Sequence, residues 1–169
     1  MLLERIDPPA IVLADNLKSF ISRQIKLHSR GSYSHAMWLR ASGKVVSQDW
    51  KLSEKFLSEY LVPYYRLKFF HKPELQLTGK AAEIEACLDK MLSQTHRYDW
   101  LGVAGHLLGC RGMQLGGRWY CTEAVWEPFV EVLHFAPLHP TPQELNWMLP
   151  ELGWSVAAIV DPRLEATEN

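Results

Sequence analysis

The sequence predicts an α+β fold, a small antiparallel sheet packed against helices, in one domain covering residues 1–169. Three observations carry that reading. Short apolar runs of strand length are interspersed, in no repeating order, with segments whose apolar residues recur at helical spacing. Residues 33–50 carry the signature of a β-hairpin. No internal repeat, low-complexity tract or linker divides the 169 residues.

Ala10–Ala14 is an apolar run after Pro8–Pro9 and reads as a buried strand. Asp15–Asn16 follows as a helix N-cap, with Leu17, Phe20, Ile21, Ile25 and Leu27 at helical spacing and an end near Ser29–Gly31. Tyr33–Leu39 and Lys44–Trp50 form the hairpin, closed by Ala41-Ser42-Gly43 with Gly in the left-handed position. Lys51–Tyr60 reads as a short helix, and Tyr64–Phe70 as an aromatic strand bounded by Pro63 and Pro73. Thr78–Gln94 is an amphipathic helix, capped by Thr78, with Ala82, Ile84, Leu88 and Leu92 inward. Tyr98–Leu108 reads as a helix and the glycine-rich Gly109–Gly117 as a loop. Cys121–Phe135 is apolar at helical intervals through Ala124, Val125, Phe129, Val132 and Leu133. Thr141-Pro142 is an N-cap followed by proline at the first helical position, and Trp154–Val160 is a last apolar strand.

Composition excludes several function classes. Apolar residues make up 47% and charged residues 22%, values of a globular domain rather than a disordered chain. The formal net charge is −1 and no block of like charges occurs, so a nucleic-acid partner is not expected. No apolar run reaches the roughly 18 residues of a membrane-spanning helix. The start at Met1–Ile6 lacks the basic and apolar regions of a secretion signal, so a cytoplasmic location is expected, with delivery to the envelope open to a phage-derived enzyme. The three cysteines, Cys87, Cys110 and Cys121, match no zinc spacing and suggest reduced thiols; no cofactor is called for.

Cys121 opens a helix directly after Arg118-Trp119-Tyr120. Helix N-termini favour a thiolate and offer free N–H groups to an oxyanion. Cys87 and Cys110 lack that context. A thiol nucleophile needs a base, commonly a histidine distant in sequence. His35 lies in the first hairpin strand. A loop centred on Ser42 puts residues 35, 37, 47 and 49 on one face, so Ser47 and Asp49 are both candidates to orient the imidazole. Gln48 reaches that face only if the register slips by one. Trp38, Trp50, Trp100, Trp119 and Trp126 are candidates either for a substrate groove or for core packing.

Three segments, in matching order over residues ~10–150, resemble the permuted NlpC-type papain-like cysteine hydrolases, a bacterial and phage group related to the lecithin:retinol acyltransferase-like enzymes. Ser34-His35-Ala36-Met37-Trp38-Leu39 with Ser42-Gly43-Lys44-Val45-Val46 is similar to the histidine hairpin of that group. Tyr98-Asp99-Trp100, followed by Trp119-Tyr120-Cys121-Thr122-Glu123, is similar to its cysteine segment, and Thr141-Pro142-Gln143-Glu144-Leu145 to a later Thr-Pro-x-x-Leu stretch. The resemblance implies a circularly permuted papain-like domain with Cys121 as nucleophile and His35 as base. It places the third catalytic group at Ser47, where relatives carry Glu, His or a similar group, and this departure keeps Asp49 in contention. Thr122 stands where serine is more usual.

The implied activity is that of a thiol peptidase or amidase acting through an acyl-enzyme, with a peptide or peptidoglycan fragment as substrate. Two alternatives share the fold: a lipid acyl hydrolase or acyltransferase, and a non-catalytic structural or binding module of a phage particle. An active pair is expected to form the Cys121 thiolate well below the ordinary thiol pKa of about 8.5.

Overall fold

A computed structural model describes residues 2–94, 97–98 and 118–165. Most of the expected Tyr98–Leu108 helix, the Gly109–Gly117 loop, Cys110 and Trp100 lie outside the described residues.

After a 3-10 turn at Leu2–Arg5, the elements in chain order are β1 (Ala10–Asn16), α1 (Phe20–Ser29), β2 (His35–Leu39), β3 (Lys44–Gln48), β4 (Leu52–Phe56), a 3-10 turn (Leu57–Glu59), β5 (Tyr65–His71), α2 (Glu74–Leu77) and α3 (Lys80–Ser93). They continue with β6 (Arg97–Tyr98), β7 (Arg118–Trp119), α4 (Cys121–Glu131), α5 (Pro142–Glu151), β8 (Ser155–Val160) and α6 (Pro162–Glu165). Six strands form one sheet in the order β4-β3-β2-β1-β5-β8, every neighbouring pair antiparallel. β6 and β7 form a separate short parallel pair. This is the expected α+β architecture, an antiparallel sheet packed with helices.

The central strands are buried on both faces, because strand alternation sends each strand's apolar residues two ways, while the edge strand β8 leaves Val156 and Ile159 exposed. One face carries Ile11, Leu13, Ala36, Trp38, Val46, Leu52 and Phe70, and packs against Ile84 and Leu88 of α3 and Val125 and Phe129 of α4. The other carries Val12, Ala14, Met37, Leu39, Val45, Leu67 and Phe69 and is covered around Leu57 and Tyr60. The strand bearing the candidate base therefore lies inside the sheet, and the helix bearing the candidate nucleophile lies across it. The indole N–H of Trp38 donates to the Val125 carbonyl at 3.0 Å and joins the two.

Several expectations need correction. Lys51–Tyr60 is not a helix: it is β4 followed by a 3-10 turn. Cross-strand pairing overrides local propensity there, with Glu54 bonded to Lys44 and Arg40 on the neighbouring hairpin. β1 runs on through Asn16, whose Oδ1 accepts the Lys18 and Ser19 N–H groups in an Asx turn, and Ser19 then caps α1. The apolar residues of α1 do not all point inward: Phe20 and Leu27 are each 69% exposed and Ile21 is exposed as well. Thr78 ends α2 by bonding the Glu74 carbonyl, and Gly79, at φ +74°, precedes α3. That shift buries Ala81 and exposes Ala82. The hairpin closes as expected, with Gly43 at φ +77°.

Candidate active site

Register decides which hairpin residues can meet. Met37 lies opposite Ser47 and Trp38 opposite Val46. Continuing that register pairs His35 with Asp49 and puts Ser47 diagonally beside His35. The His35 Nε2 atom lies 2.8 Å from Ser47 Oγ and 3.4 Å from Asp49 Oδ1. The structure thus brings both candidate orienting groups to the same ring nitrogen. Ser47 is fully buried, and its hydroxyl also bonds the Asp49 carboxylate. The arrangement is a relay from imidazole through hydroxyl to carboxylate.

Two groups at this relay escaped the sequence reading. The Tyr60 hydroxyl lies 3.2 Å from Ser47 Oγ and 3.4 Å from Asp49 Oδ2. The Lys55 ammonium is bonded to Asp49 Oδ2. Both reach the site because residues 51–60 form a strand and a turn. With a helix assigned there, no signal points to them.

Electrostatics follow from burial and these partners. Burial lowers the His35 pKa below its usual value; the Asp49 charge opposes the shift and Lys55 adds to it. Burial by itself would raise the Asp49 carboxyl, but the His35 ring, Lys55 and the Ser47 hydroxyl outweigh it and the carboxyl titrates below its usual range. Burial and the nearby Asp49 push the Tyr60 phenol up to about 12, so it remains a donor.

Cys121 is the first residue of α4, as expected. Tyr120 is extended, and its N–H donates to Glu123 Oε2 at 3.0 Å, which stops the helix from running further back. The neighbouring Thr122 hydroxyl donates to the Pro140 carbonyl, and Glu123 Oε1 pairs with His139 Nδ1 at 2.7 Å. The Cys121 thiol is buried, 4% exposed, beside the backbone N–H of Ala36, the residue after His35. The Cys121 sulfur therefore lies beside the start of β2, one residue along the strand from His35. No hydrogen bond joins the sulfur to the imidazole; Ala36, Thr122 and the Cys121 amide itself supply the N–H groups that favour a thiolate. They do not prevail. Burial, aided by the Asp49 charge, pushes the thiol up to about 12. This runs against the expected low thiol pKa: desolvation of the charged form exceeds what helix-terminal N–H groups return.

The other candidates resolve differently. Cys87 is buried in α3, 3.9 Å from the Met91 sulfur, and burial pushes its thiol up to about 11. Trp38 and Trp126 are core residues: both rings pack on Phe129, with Trp126 stacked at 4.5 Å. Trp50 is 77% exposed at the end of the hairpin. Gln48 pairs directly with Leu52, which places its side chain on the face opposite that of Ser47. Among the described residues no three His, Cys, Asp or Glu side chains form a metal-ligand group, and no helix is long and apolar enough to cross a membrane.

No family model matches the chain, and no curated protein matches it. Among solved structures the chain is similar to the metalloprotein yiiX from Escherichia coli O157:H7, a DUF1105 protein, at 14% identity and a TM-score of 0.55. The match covers 78% of this chain and 68% of that one. At this identity the likeness is one of fold.

Proposed function

We propose that this chain is a thiol hydrolase of the permuted papain-like type, a peptidase or amidase that cleaves an amide bond through an acyl-enzyme on Cys121. One observation carries the reading. His35 engages Ser47 and Asp49 through Nε2, which leaves Nδ1 outside that network as a base, and the Cys121 sulfur sits at the Ala36 N–H one residue away. An imidazole whose Nε2–H is held by an acceptor presents an unprotonated Nδ1, the tautomer a general base needs.

The buried thiol and the lowered imidazole rest as a neutral pair. Proton transfer then accompanies attack, as in serine enzymes, instead of preceding it. Reaction requires the Cys121 sulfur to turn from the Ala36 N–H toward the ring. The S–H proton passes to His35 Nδ1 as sulfur adds to the carbonyl carbon. The imidazolium returns that proton to the departing amine, leaving a thioester. Water, deprotonated by the same nitrogen, hydrolyses it. Ser47 and Asp49 stabilise the imidazolium between these steps.

The substrate expected from the resemblance is a peptide amide, including the short peptides of a bacterial cell wall, with a phage-related role. The test is mass spectrometry of the full chain incubated with cell-wall peptides and with a thiol-directed acylating probe. A Cys121 adduct absent from Cys121→Ala, and at least 10²-fold slower in His35→Ala, is expected. A probe that labels Cys87 and spares Cys121 would sink the reading.

A second reading, a lipid acyl hydrolase or acyltransferase, is favoured by one feature. Phe20, Ile21 and Leu27 of α1 and the single Trp50 are exposed in segments that leave the sheet at the end where β2 begins. An apolar rim beside a hydrolytic site suits an acyl chain or lipid surface. Co-flotation with phosphatidylcholine vesicles, lost in Phe20→Ser/Leu27→Ser, would select it over the peptidase.

A further inference from the structure

The Asp49 carboxylate is divided between two sets of partners. Its Oδ1 faces His35 Nε2 at 3.4 Å, while its Oδ2 takes the Lys55 ammonium and lies 3.4 Å from the Tyr60 hydroxyl. Strand pairing builds this division. Lys55 lies opposite Val45, so it points to the sheet face that carries Met37 and Val45, where His35, Ser47 and Tyr60 also meet. Around the ring and its carboxylate, the described titratable groups are Asp49 just after β3, Lys55 on β4, Tyr60 after the 3-10 turn, Tyr65 on β5 and Cys121 at the start of α4. Lys55 is the single cation in that set. Both partners of the Lys55–Asp49 pair keep 32% of their side-chain surface exposed, and a pair so exposed adds little to stability. Its effect falls instead on the charge that the imidazole meets.

We propose that Lys55 is a positioning residue for the base: it holds Oδ2 of Asp49, leaves Oδ1 to His35, and offsets the carboxylate charge so that the imidazole rests neutral. This rests on the reading of His35 as base for Cys121. A carboxylate alone beside a histidine favours the imidazolium, and an imidazolium cannot accept the S–H proton. A carboxylate already shared with an ammonium draws less protonation onto the resting ring. Its Oδ1 still faces the ring when the proton arrives from sulfur. Lys55 itself neither gives nor takes a proton in the reaction. The S–H proton goes to His35 Nδ1 as the C–S bond forms, and on to the departing amine as the C–N bond breaks. The direction of the His35 shift agrees with this geometry: burial lowers its pKa, the Asp49 charge opposes the lowering, and Lys55 reinforces it.

The test titrates the His35 ring by NMR in the full chain carrying isotope-labelled histidine, with the signal assigned by its loss in His35→Ala. In Lys55→Met the ring should titrate at higher pH than in wild type. Lys55→Arg, which keeps the charge, should titrate with wild type. In an Asp49→Asn background the change Lys55→Met should move the titration little, because Lys55 acts through the carboxylate. Acylation of Cys121 by p-nitrophenyl acetate gives a second readout. The rate at about pH 5.5, taken relative to the rate at about pH 8, should fall about threefold or more in Lys55→Met. Lys55→Gln serves if the methionine variant fails to fold. A His35 titration unchanged by loss of the ammonium would overturn the assignment. So would a shift equally large in the Asp49→Asn background, which would mean a direct field on the ring. A fall in acylation by one factor at both pH values would also overturn it, by placing Lys55 in packing. If wild type shows no acylation beyond that of Cys121→Ala, the thiol hydrolase reading fails on its own, and the titration still decides whether Lys55 governs the imidazole.

Discussion

His35 Nε2 is 2.8 Å from Ser47 Oγ, and that one contact ties Nε2 to the hairpin and leaves Nδ1 outside it. The Ser47 hydroxyl passes the interaction on to Asp49, so a carboxylate acts on the imidazole through an intervening oxygen as well as directly at 3.4 Å.

Ser47→Ala removes the acceptor that holds the tautomer, and acylation should fall about 10²-fold. Asp49→Asn keeps Ser47 in place and should cost about tenfold. Because the two act in one relay, the double variant should be less impaired than the product of the single losses. Rates with p-nitrophenyl acetate measure all three, and strict multiplicativity would show that the groups act separately.

The His35 pKa is lowered, so the neutral base persists to more acidic pH than an ordinary imidazole. The acid limb of the acylation profile should lie below about pH 6.5. Asp49 opposes the lowering. Asp49→Asn should therefore shift the limb further towards acid, and a shift towards neutrality would contradict the charge assignment.

The Cys121 thiol is raised to about 12. Its alkylation by iodoacetamide should be slow near pH 7 and still rise above about pH 8.5, where a free thiol levels off. The sign for stability follows from linkage. A raised folded pKa contributes stability that is present below the unfolded value and is lost as pH rises through the folded one. Stability should fall as pH rises between about 8 and 11, and fall less steeply in Cys121→Ala, where Cys87 still contributes. Rapid, pH-independent labelling would show a preformed thiolate.

Gly31 lies just after α1, where a Cβ would meet Gln143 Cβ at 2.6 Å. The Gln143 side chain accepts the Ser32 N–H at 2.7 Å, three residues before His35. Gly31→Ala should destabilise by about 1–3 kcal/mol through overpacking and reduce acylation by moving the start of β2. Gln143→Gly removes the Cβ that makes this contact, so that double variant should melt above Gly31→Ala alone, whereas Gln143→Ala, which keeps the Cβ and loses the Ser32 bond, should not.

The sequence showed those parts of the site that local chemistry specifies. Ala41-Ser42-Gly43 fixes the hairpin register, and with it the face shared by residues 35, 37, 47 and 49. Thr141-Pro142 marks the start of α5, where the side chain accepts the Glu144 N–H at 3.1 Å. Cys121 begins its helix as read. What escaped depends on partners distant in the fold. β4 exists because β3 pairs with it, and only as a strand does it carry Lys55 and lead Tyr60 to the relay. The thiol pKa was misjudged because helix-end N–H groups are visible in sequence while depth of burial is not.

The bonds from Thr122 to Pro140 and from Ser32 to Gln143 have a consequence for the order of synthesis. A nascent chain exposes His35 early and Cys121 much later, but the segment that pins both neighbourhoods arrives only with residues 140–143. Until then α4 lacks its anchor and the turn before β2 lacks its brace. A half-made chain therefore carries the thiol without the neighbours that position it, and the candidate site is assembled only as the molecule closes.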